Sequence, residues 1–246
     1  MARILLVHGA FAGAWCWEPV LPGLRAAGHE VRAIDLPGSG EDRTDLAQVT
    51  LGGYADRVCE SLAEGPPAVL VGHSMGGMVV TQAAAQTPEH VRALIYVAAF
   101  VPGDGQSLIE LTALPEAAGD QVQANLVAEG DPPIARLPAA AARDALFGCC
   151  NDEQAAWAVG HLGRQPVLPF TAPVDLSGPG ASTFAALPRA YVTCTRDRAI
   201  PPAMQRRMFE AAGCDPVIEI ATDHAPWISR TDELVAALLG LVSQHQ

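Results

Sequence analysis

Residues 72–76, with the sequence GHSMG, join two segments whose residue patterns predict different secondary structure. Residues 68–71 are apolar and favour a buried strand, whereas residues 77–86 are rich in Met, Val and Ala and favour a helix. A serine at such a junction lies on a sharp turn, where flanking glycines relieve crowding and the hydroxyl stands beside the amides of the helix N-terminus. The pattern favours Ser74 as a nucleophile, although a Gly-Ser turn that only closes a strand–helix unit has the same short sequence.

Strand-like and helix-like segments alternate on both sides of this turn. The predicted strands are 4–8, 31–36, 68–71, 92–99, 189–194 and 217–220. The predicted helices are 17–27, 54–63, 77–86, 202–212 and 232–242. This alternation predicts the α/β class, with a parallel sheet covered by helices on both faces. At 246 residues and 50% hydrophobic content, the chain is long enough to bury one substantial core.

The alternation stops between about residue 104 and residue 187. This segment is rich in Ala, Pro and Gly, with short helical stretches and no clear buried strand. A stretch of this length without strands inside a compact α/β domain predicts an inserted lid over the active face. We therefore expect a core formed by residues 1–103 and 188–246, and a lid formed by residues 104–187.

The charge of the chain limits its partners. The formal net charge is −12 and the pI is near 4.9, whereas a nucleic acid or an anionic lipid surface would favour a basic face. No apolar run reaches the length of a membrane span, and the chain enters its first strand without a leader peptide. These features predict a cytoplasmic protein that acts on a small molecule and binds neither nucleic acid nor membrane. A homodimer is left open.

Cysteine and lysine usage limits the chemistry. The six cysteines show neither C-x-x-C spacing nor matching histidine pairs, so we expect no metal site and no disulfide framework. Adjacent Cys149 and Cys150 could form a vicinal disulfide, but a reducing compartment favours free thiols. The chain contains no lysine, which excludes Schiff-base chemistry and the phosphate-binding lysine of a P-loop. No cofactor is expected.

A nucleophilic serine needs a general base, and in parallel sheets functional groups gather at the carboxyl ends of the strands. Three histidines lie at or just beyond predicted strand ends: His8, His73 and His224. His73 is adjacent to Ser74, so its side chain is expected to point away from the serine. His8 ends a strand and is expected to be a structural hydrogen-bonding residue. His224 follows the last strand and is the predicted base.

The base in turn needs a carboxylate to fix its tautomer. Asp197 follows the strand 189–194, and the order Ser…Asp…His is typical of hydrolases whose serine lies on such a turn. Asp104, after the preceding core strand, is the second candidate because its strand end could reach the same histidine. Asp223 is adjacent to His224 and is expected to cap the turn.

Acyl transfer also needs hydrogen-bond donors for the oxyanion. The backbone amide of Met75, the residue after the serine, is one candidate. The loop after the first strand supplies the other, because Gly9 permits a tight turn that would point the Ala10 amide inward. A plain glycine turn between strand and helix would contain the same residues.

The same region offers an alternative function. A first strand, a glycine-containing loop and Asp35 at the end of the second strand are also typical of a dinucleotide-binding unit. However, the loop at 9–13 reads GAFAG and lacks the required G-x-G-x-x-G pattern. This alternative explains neither Asp197 nor His224, so we disfavour it.

Several short blocks of the chain together resemble a known family. The blocks are VHGA at 7–10, WCW at 15–17, DLPGSG at 35–40, GHSMGG at 72–77, CTRD at 194–197 with IP at 200–201, and DH at 223–224. They resemble the α/β-hydrolase branch that contains plant methyl esterases of the salicylate methyl esterase type and hydroxynitrile lyases. The resemblance covers nearly the whole chain and is weakest in the lid. It implies a six-stranded parallel core with a helical lid, a Ser74–Asp197–His224 triad, and Ala10 and Met75 as oxyanion donors.

Two positions separate the esterases of this branch from the lyases. The lyases have a threonine in the first loop and a lysine after the catalytic histidine, where this chain has Gly9 and Ala225. The resemblance therefore implies a serine carboxylesterase for small, aromatic or apolar esters, of the methyl-ester type. The alternatives are a hydroxynitrile lyase-like or polyketide-type lyase or cyclase, and a non-catalytic protein that binds a small ligand.

The lid is expected to supply an apolar acyl pocket. Candidate wall residues are Phe11, Trp157, Phe170 and Ala225. Packing of lid helices onto the core explains Trp157 and Phe170 equally well, so both interpretations stay open for them.

Overall fold

A computed structural model of the protein describes residues 1–245 and contains one parallel six-stranded sheet. Its strands are β1 (Arg3–Val7), β2 (Glu30–Ile34), β3 (Ala68–His73), β4 (Val91–Val97), β8 (Arg189–Cys194) and β9 (Val217–Ile220). Their order across the sheet is β2-β1-β3-β4-β8-β9, and every neighbouring pair is parallel. A second, antiparallel sheet contains β5 (Val127–Glu129), β6 (Ile134–Arg136) and β7 (Gln165–Pro166). The predicted α/β fold with a six-stranded parallel core is confirmed.

The inner strands are mainly apolar because helices cover both faces of the sheet. All residues of β1 and β3 are buried, whereas the edge strands β2 and β9 expose residues such as Arg32 and Glu219. Near-continuous apolar runs are typical of strands in doubly covered parallel sheets. The predicted strands agree with the observed ones to within about two residues, and the last two have the predicted bounds.

Helices form the outer layers. They are α1 (Leu21–Ala26), α2 (Leu51–Ala63), α3 (Gly76–Gln86), α4 (Leu108–Thr112), α5 (Gln121–Asn125), α6 (Ala139–Leu146), α7 (Asp152–His161), α8 (Leu168–Thr171), α9 (Ala181–Ala185), α10 (Pro202–Ala211), α11 (Pro226–Ser229) and α12 (Thr231–Ser243). Buried residues of α2, α3 and α10 share one apolar core on one face of the sheet, and those of α1 and α12 share the core on the other face. The two cores are what an α/β sandwich requires.

Two helices differ from their predicted bounds for local reasons. In place of the predicted helix 17–27, the structure has a 3-10 turn, Ala14–Trp17, followed by the short α1, which has a proline in its first turn. Proline lacks an amide hydrogen and is tolerated only at such a helix start. The second helix, α2, begins at Leu51 rather than at residue 54, because Thr50 Oγ1 accepts a hydrogen bond from the Gly53 amide at 3.0 Å and caps it.

The segment 104–187 contributes no strand to the main sheet among the described residues. It contains α4 to α9 and the second sheet, whose strands are two or three residues long. Strands this short contain too few residues to show an alternating pattern, which is why they were not predicted from the sequence. The division into core and lid at residues 104 and 187 stays a prediction.

Two general features concern the described part of the chain. No helix within residues 1–245 is both long enough and apolar enough to cross a membrane. All six cysteines are free thiols, including the adjacent Cys149 and Cys150.

Candidate active site

The carboxyl ends of four parallel strands bring the predicted functional residues to one edge of the sheet. Gly9 and Ala10 follow β1, Ser74 follows β3, Asp197 follows β8 and His224 follows β9. The strand ends are level, since Val7 pairs with Gly72 and Cys194 pairs with Ile220. Parallel strands therefore deliver loops from distant parts of the sequence to the same place.

Ser74 lies on the sharp turn between β3 and α3. Its φ of 55° is in the left-handed region, which L-residues rarely adopt, and its side chain is half-buried. The turn needs glycine at positions 72 and 76, because neighbouring backbone atoms leave no room for a side chain there. A Cβ on Gly76 would lie 2.6 Å from the His8 carbonyl oxygen, and one on Gly72 would lie 2.8 Å from the Gly76 carbonyl oxygen. Side chains at either position would displace the turn.

His224 and Asp197 form a buried hydrogen-bonded pair. His224 Nδ1 lies 2.7 Å from Asp197 Oδ2, and both side chains are almost fully buried. Burial alone would lower the pKa of His224, but the Asp197 carboxylate, with Asp223 and Asp120 further away, outweighs burial and raises that pKa. Because Nδ1 faces a carboxylate, it carries a proton, and Nε2 is left as the basic nitrogen.

Asp197 is itself held by a buried amide side chain that the sequence did not indicate. Its Oδ1 accepts hydrogen bonds from the amides of Ala199 at 2.8 Å and Ile200 at 2.9 Å. Its Oδ2 also accepts one from Gln205 Nε2 at 3.1 Å. Gln205, on α10, is fully buried and also donates to the Ile200 carbonyl at 2.8 Å. These contacts fix the carboxylate that faces His224.

The other two acidic candidates have different partners. Asp104 is exposed, and its carboxylate accepts a hydrogen bond from the Leu176 amide at 2.8 Å, so it is not the partner of His224. Asp223 caps the turn through the Ala225 amide at 3.2 Å. It also accepts from the Cys149 amide at 2.7 Å, which ties the segment before α7 to the turn.

His8 and His73, the other two histidines at the strand ends, are neutral and form structural hydrogen bonds. Burial, with a further contribution from His224, lowers the pKa of His73 well below its usual value, and burial likewise lowers the pKa of His8. His73 Nε2 donates to the His224 carbonyl at 2.7 Å. His8 Nδ1 donates to the Gly9 carbonyl at 2.8 Å, and its Nε2 accepts from the Leu36 amide at 3.1 Å. His8 therefore fixes the first loop.

The amides of Ala10 and Met75 make no hydrogen bond to any other described residue. Both residues line the same cavity as Ser74. The loop that carries Ala10 approaches the serine closely, because a Cβ on Gly9 would lie only 2.6 Å from Ser74 Cβ. Two unused amides beside the predicted nucleophile are compatible with an oxyanion site, which needs such donors.

A contact from the second sheet holds this loop in place. Phe11 adopts a left-handed φ of 64°, and its amide donates to Gln165 Oε1 at 3.3 Å. Gln165 lies in β7 and is buried, and its Nε2 donates to the Tyr54 hydroxyl at 3.2 Å. The Phe11 carbonyl accepts from the Gly163 amide at 2.7 Å. Residues 154 positions apart thus fix the loop, which no local pattern indicates.

The cavity beside Ser74 has a mainly apolar wall. Of the four predicted wall residues, it contains Phe11, Phe170 and Ala225. Wall residues that the sequence did not indicate are Ala12, Phe100, Leu108, Thr112, Asp120, Val122, Gln123, Leu126, Leu146, Phe147, Leu162, Ala199, Ile200 and Trp227. No hydrogen bond joins Ser74 to His224 among the described residues, although both line this cavity. Such contacts often form only when substrate is bound.

Trp157 does not line the cavity, contrary to the pocket interpretation. Its ring lies 5.4 Å from the Trp15 ring and 4.6 Å from the His161 ring, measured between centroids. Contact with these aromatic neighbours covers part of its large apolar surface outside the cavity. The packing interpretation is the one that the structure supports for Trp157.

Asp120 is the most informative residue that the sequence did not single out. It lies immediately before α5, lines the cavity and is half-buried. Burial raises the pKa of its carboxyl to about 6, against hydrogen bonds from the Gln123 and Val122 amides that lower it. In sequence it is one aspartate in an Ala- and Gly-rich stretch, where a helix cap is the ordinary interpretation.

The chain is similar to plant proteins over nearly its whole length. Salicylic acid-binding protein 2 of Nicotiana tabacum is 31% identical over 259 positions, which cover 99% of this chain and 98% of that protein. Polyneuridine aldehyde esterase of Rauvolfia serpentina is 29% identical, over 97% of this chain and 95% of that protein. These relatives confirm the resemblance to the plant methyl esterase branch.

Solved structures agree. The crystal structure of polyneuridine aldehyde esterase has a TM-score of 0.86 at 27% identity and covers 98% of this chain and 99% of its own. A pyrethroid hydrolase from Sphingobium faniae has a TM-score of 0.86 at 25% identity and covers 98% of this chain and 97% of its own. The sequence profile of the alpha/beta hydrolase family matches residues 4–237. The chain belongs to the alpha/beta hydrolase family.

Proposed function

We propose that the protein is a serine carboxylesterase that hydrolyses small, aromatic or apolar carboxylic esters, including methyl esters, through an acyl-enzyme. The observation that carries the proposal is the buried 2.7 Å pair of His224 and Asp197, in which His224 lines the same cavity as Ser74. The names of similar proteins, among them an esterase and a pyrethroid hydrolase, support it.

In the first half of the reaction, Ser74 Oγ attacks the ester carbonyl carbon while His224 Nε2 takes the hydroxyl proton. Asp197 keeps the Nδ1 proton in place and stabilises the imidazolium that forms. The C–O bond to the alcohol then breaks, and His224 gives its proton to the departing alkoxide. The products of this half are the free alcohol and an ester between the acyl group and Ser74.

The second half repeats these steps with water. His224 takes a proton from water, whose oxygen attacks the acyl carbon. The bond to Ser74 Oγ breaks, His224 returns the proton to the serine, and the carboxylic acid leaves. In both halves the amides of Ala10 and Met75 would stabilise the negative charge on the carbonyl oxygen.

The cavity wall supports apolar ligands and disfavours cyanohydrin cleavage. Departing cyanide needs a nearby cation in a water-poor site. No arginine is among the described wall residues, and Arg196 and Arg198, beside Asp197, are exposed. The residue after His224 is the buried Ala225 rather than a cationic side chain. Ester hydrolysis therefore fits better than lyase chemistry.

Ligand binding without turnover is the second candidate, because the tobacco relative is named for binding salicylic acid. A binder has no chemical need for a buried base, an orienting carboxylate and unused amides around one serine. We also propose a cytoplasmic location, which the free state of the six cysteines supports.

Hydrolysis of p-nitrophenyl acetate by the Ser74→Ala variant tests the proposal. Loss of the nucleophile should lower kcat by several orders of magnitude, on the scale of about 10⁶-fold for a triad serine. Ser243→Ala, at the exposed end of α12, is the matched control and should keep wild-type activity. Near-normal turnover by Ser74→Ala would contradict the assignment.

A further inference from the structure

The cavity beside Ser74 contains one carboxylate that the proposed reaction does not use. Asp120 lines it together with Ser74 and His224. Two other polar wall residues are less suited to bind a ligand inside the cavity. Thr112 Oγ1 already donates to the Ile109 carbonyl at 3.0 Å, and Gln123 is exposed. Asp120 is thus the charged acceptor in an otherwise mainly apolar wall.

The Asp120 carboxylate is held firmly, with one oxygen left over. Its Oδ1 accepts hydrogen bonds from the amides of Val122 at 2.8 Å and Gln123 at 2.9 Å. The next residue, Gln121, donates from its amide to the Arg198 carbonyl at 2.8 Å, which attaches this segment to the loop that carries Asp197. Oδ2 accepts no hydrogen bond from any described residue. A carboxylate held in this way can accept a hydrogen bond from a ligand through its second oxygen.

Capping of α5 does not account for the charge. Asparagine caps a helix N-terminus about as well as aspartate, since only one side-chain oxygen is used. The charge is also unfavourable here, because burial raises the pKa of Asp120 to about 6 and the Asp197 carboxylate also raises it. His224, the other charged group that interacts with Asp120, favours the ionised form. A partly buried carboxylate in the cavity wall, whose second oxygen has no partner among the described residues, points to a role toward the ligand.

We propose that Asp120 is a specificity-determining residue, whose Oδ2 accepts a hydrogen bond from a hydroxyl or a protonated amine on the substrate and disfavours substrates and products that carry a carboxylate near it. The inference rests on the proposed function in that it assigns a substrate class to the same cavity. An aromatic ester with a hydroxyl or ammonium substituent would use the apolar wall for its ring and Asp120 for its donor. Hydrogen bonds to charged groups are among the stronger ones in proteins.

Competitive inhibition by small aromatic probes tests this role. The probes are benzylamine, which is protonated at pH 8, and benzoate, with p-nitrophenyl acetate as the reporter substrate. Both probes place one polar group on the same ring and differ in the sign of its charge. Wild-type protein should bind benzylamine more tightly than benzoate. In Asp120→Asn the ratio of the benzoate Ki to the benzylamine Ki should fall by about tenfold to a hundredfold, as expected for loss of a charged hydrogen-bond partner.

The matched control is Asp45→Asn. Asp45 also caps a short helical turn, through the Ala47 amide at 3.0 Å, but it is exposed and does not line the cavity. This variant should leave both Ki values unchanged. If Asp120→Asn and Asp45→Asn give the same ratio as wild type, Asp120 does not determine specificity and the inference is wrong.

Failure of the inference and failure of the proposed function give different results. If the protein lacks Ser74-dependent hydrolysis, the proposed function fails, and calorimetric titration with the same two probes replaces the inhibition assay. A changed ratio of dissociation constants in Asp120→Asn would then still support the role of Asp120. An unchanged ratio would overturn it, whatever the result for Ser74.

Discussion

His73 Nε2 lies 2.7 Å from the backbone carbonyl oxygen of His224, so the residue before Ser74 forms a hydrogen bond to the backbone of the predicted base. The two imidazole rings are 4.7 Å apart at their centroids. Burial keeps the pKa of His73 well below its usual value, so its ring stays neutral. Since a carbonyl oxygen can only accept, the one ring proton is on Nε2. In the proposed reaction, two adjacent residues of one turn thus have separate tasks: Ser74 attacks the substrate, and His73 supports His224.

Replacement of His73 by Phe removes this donor and leaves the buried His224 carbonyl without a partner. We expect the free energy of unfolding to fall by about 1–3 kcal/mol, the cost of an unsatisfied buried polar group. We also expect kcat to fall by about tenfold to a hundredfold, because the base is displaced. Urea unfolding and steady-state kinetics measure both effects.

His90→Phe is the control for this change, since His90 lies outside the cavity, on the 3-10 turn before β4. It should alter neither kcat nor KM. A wild-type kcat in His73→Phe would show that His224 does not depend on the His73 hydrogen bond.

The carboxylate partner of His224 can be tested with two aspartates. Asp197→Asn should lower kcat by about 10⁴-fold, because the wrong tautomer of His224 is then favoured. Asp104→Asn should be nearly silent, since Asp104 is exposed and bonded to the Leu176 amide. The reverse pattern would mean that Asp104 is the functional acid.

The pH profile of kcat/KM also tests the pairing of His224 with Asp197. His224 acts as a base only when neutral, so activity should rise with pH as the imidazolium loses its proton. Since Asp197 and its acidic neighbours raise the pKa of His224, the midpoint should lie above the usual value of 6.5. In Asp197→Asn the effect of burial dominates, and the midpoint of the residual activity should move to lower pH. A midpoint that does not move would contradict the pairing.

Much of this arrangement could be predicted from local patterns. The strands β8 and β9 have the predicted bounds, and the chain order Ser…Asp…His favoured Asp197 over Asp104, which agrees with the hydrogen bond between His224 and Asp197. Both inferences depend on short segments and on the general rule that parallel strands end at one edge.

The rest depends on contacts between distant segments. Gln165 reaches Phe11 across 154 positions, and Gln205 reaches Asp197 from the next helix. Trp157 faces aromatic neighbours rather than the cavity, because the orientation of α7 is set by tertiary packing that its own sequence does not encode. Asp120 resembles an ordinary helix cap until its surroundings are known.

The close approach of the first loop to the serine predicts a strong effect at Gly9. A Cβ there would lie 2.6 Å from Ser74 Cβ, so Gly9→Ala must displace either the loop or the turn. We expect kcat/KM for p-nitrophenyl acetate to fall by about 10²-fold or more, because displacements of about 1 Å have effects of this size. Gly160→Ala, which meets no atom within 4 Å, should be silent. Equal activity in both variants would show that the loop is not part of the site.

A substrate panel tests the choice between esterase and lyase. With Ala225 after His224 and no arginine among the described wall residues, we expect no release of cyanide from mandelonitrile above the spontaneous rate. The same preparation should hydrolyse aryl or methyl esters. Enzyme-dependent cyanide release would show a route that needs no lysine and would overturn the esterase assignment.

Labelling with a fluorophosphonate probe tests the central claim most directly, because the probe reacts with a serine only when a base and oxyanion donors activate it. The serine oxygen forms a bond to phosphorus and fluoride leaves. Peptide mass spectrometry should find the probe mass on Ser74, with labelling abolished in Ser74→Ala and retained in the control Ser243→Ala. A folded protein that stays unlabelled, or that carries the label on another serine, would contradict the assignment of Ser74 as the nucleophile.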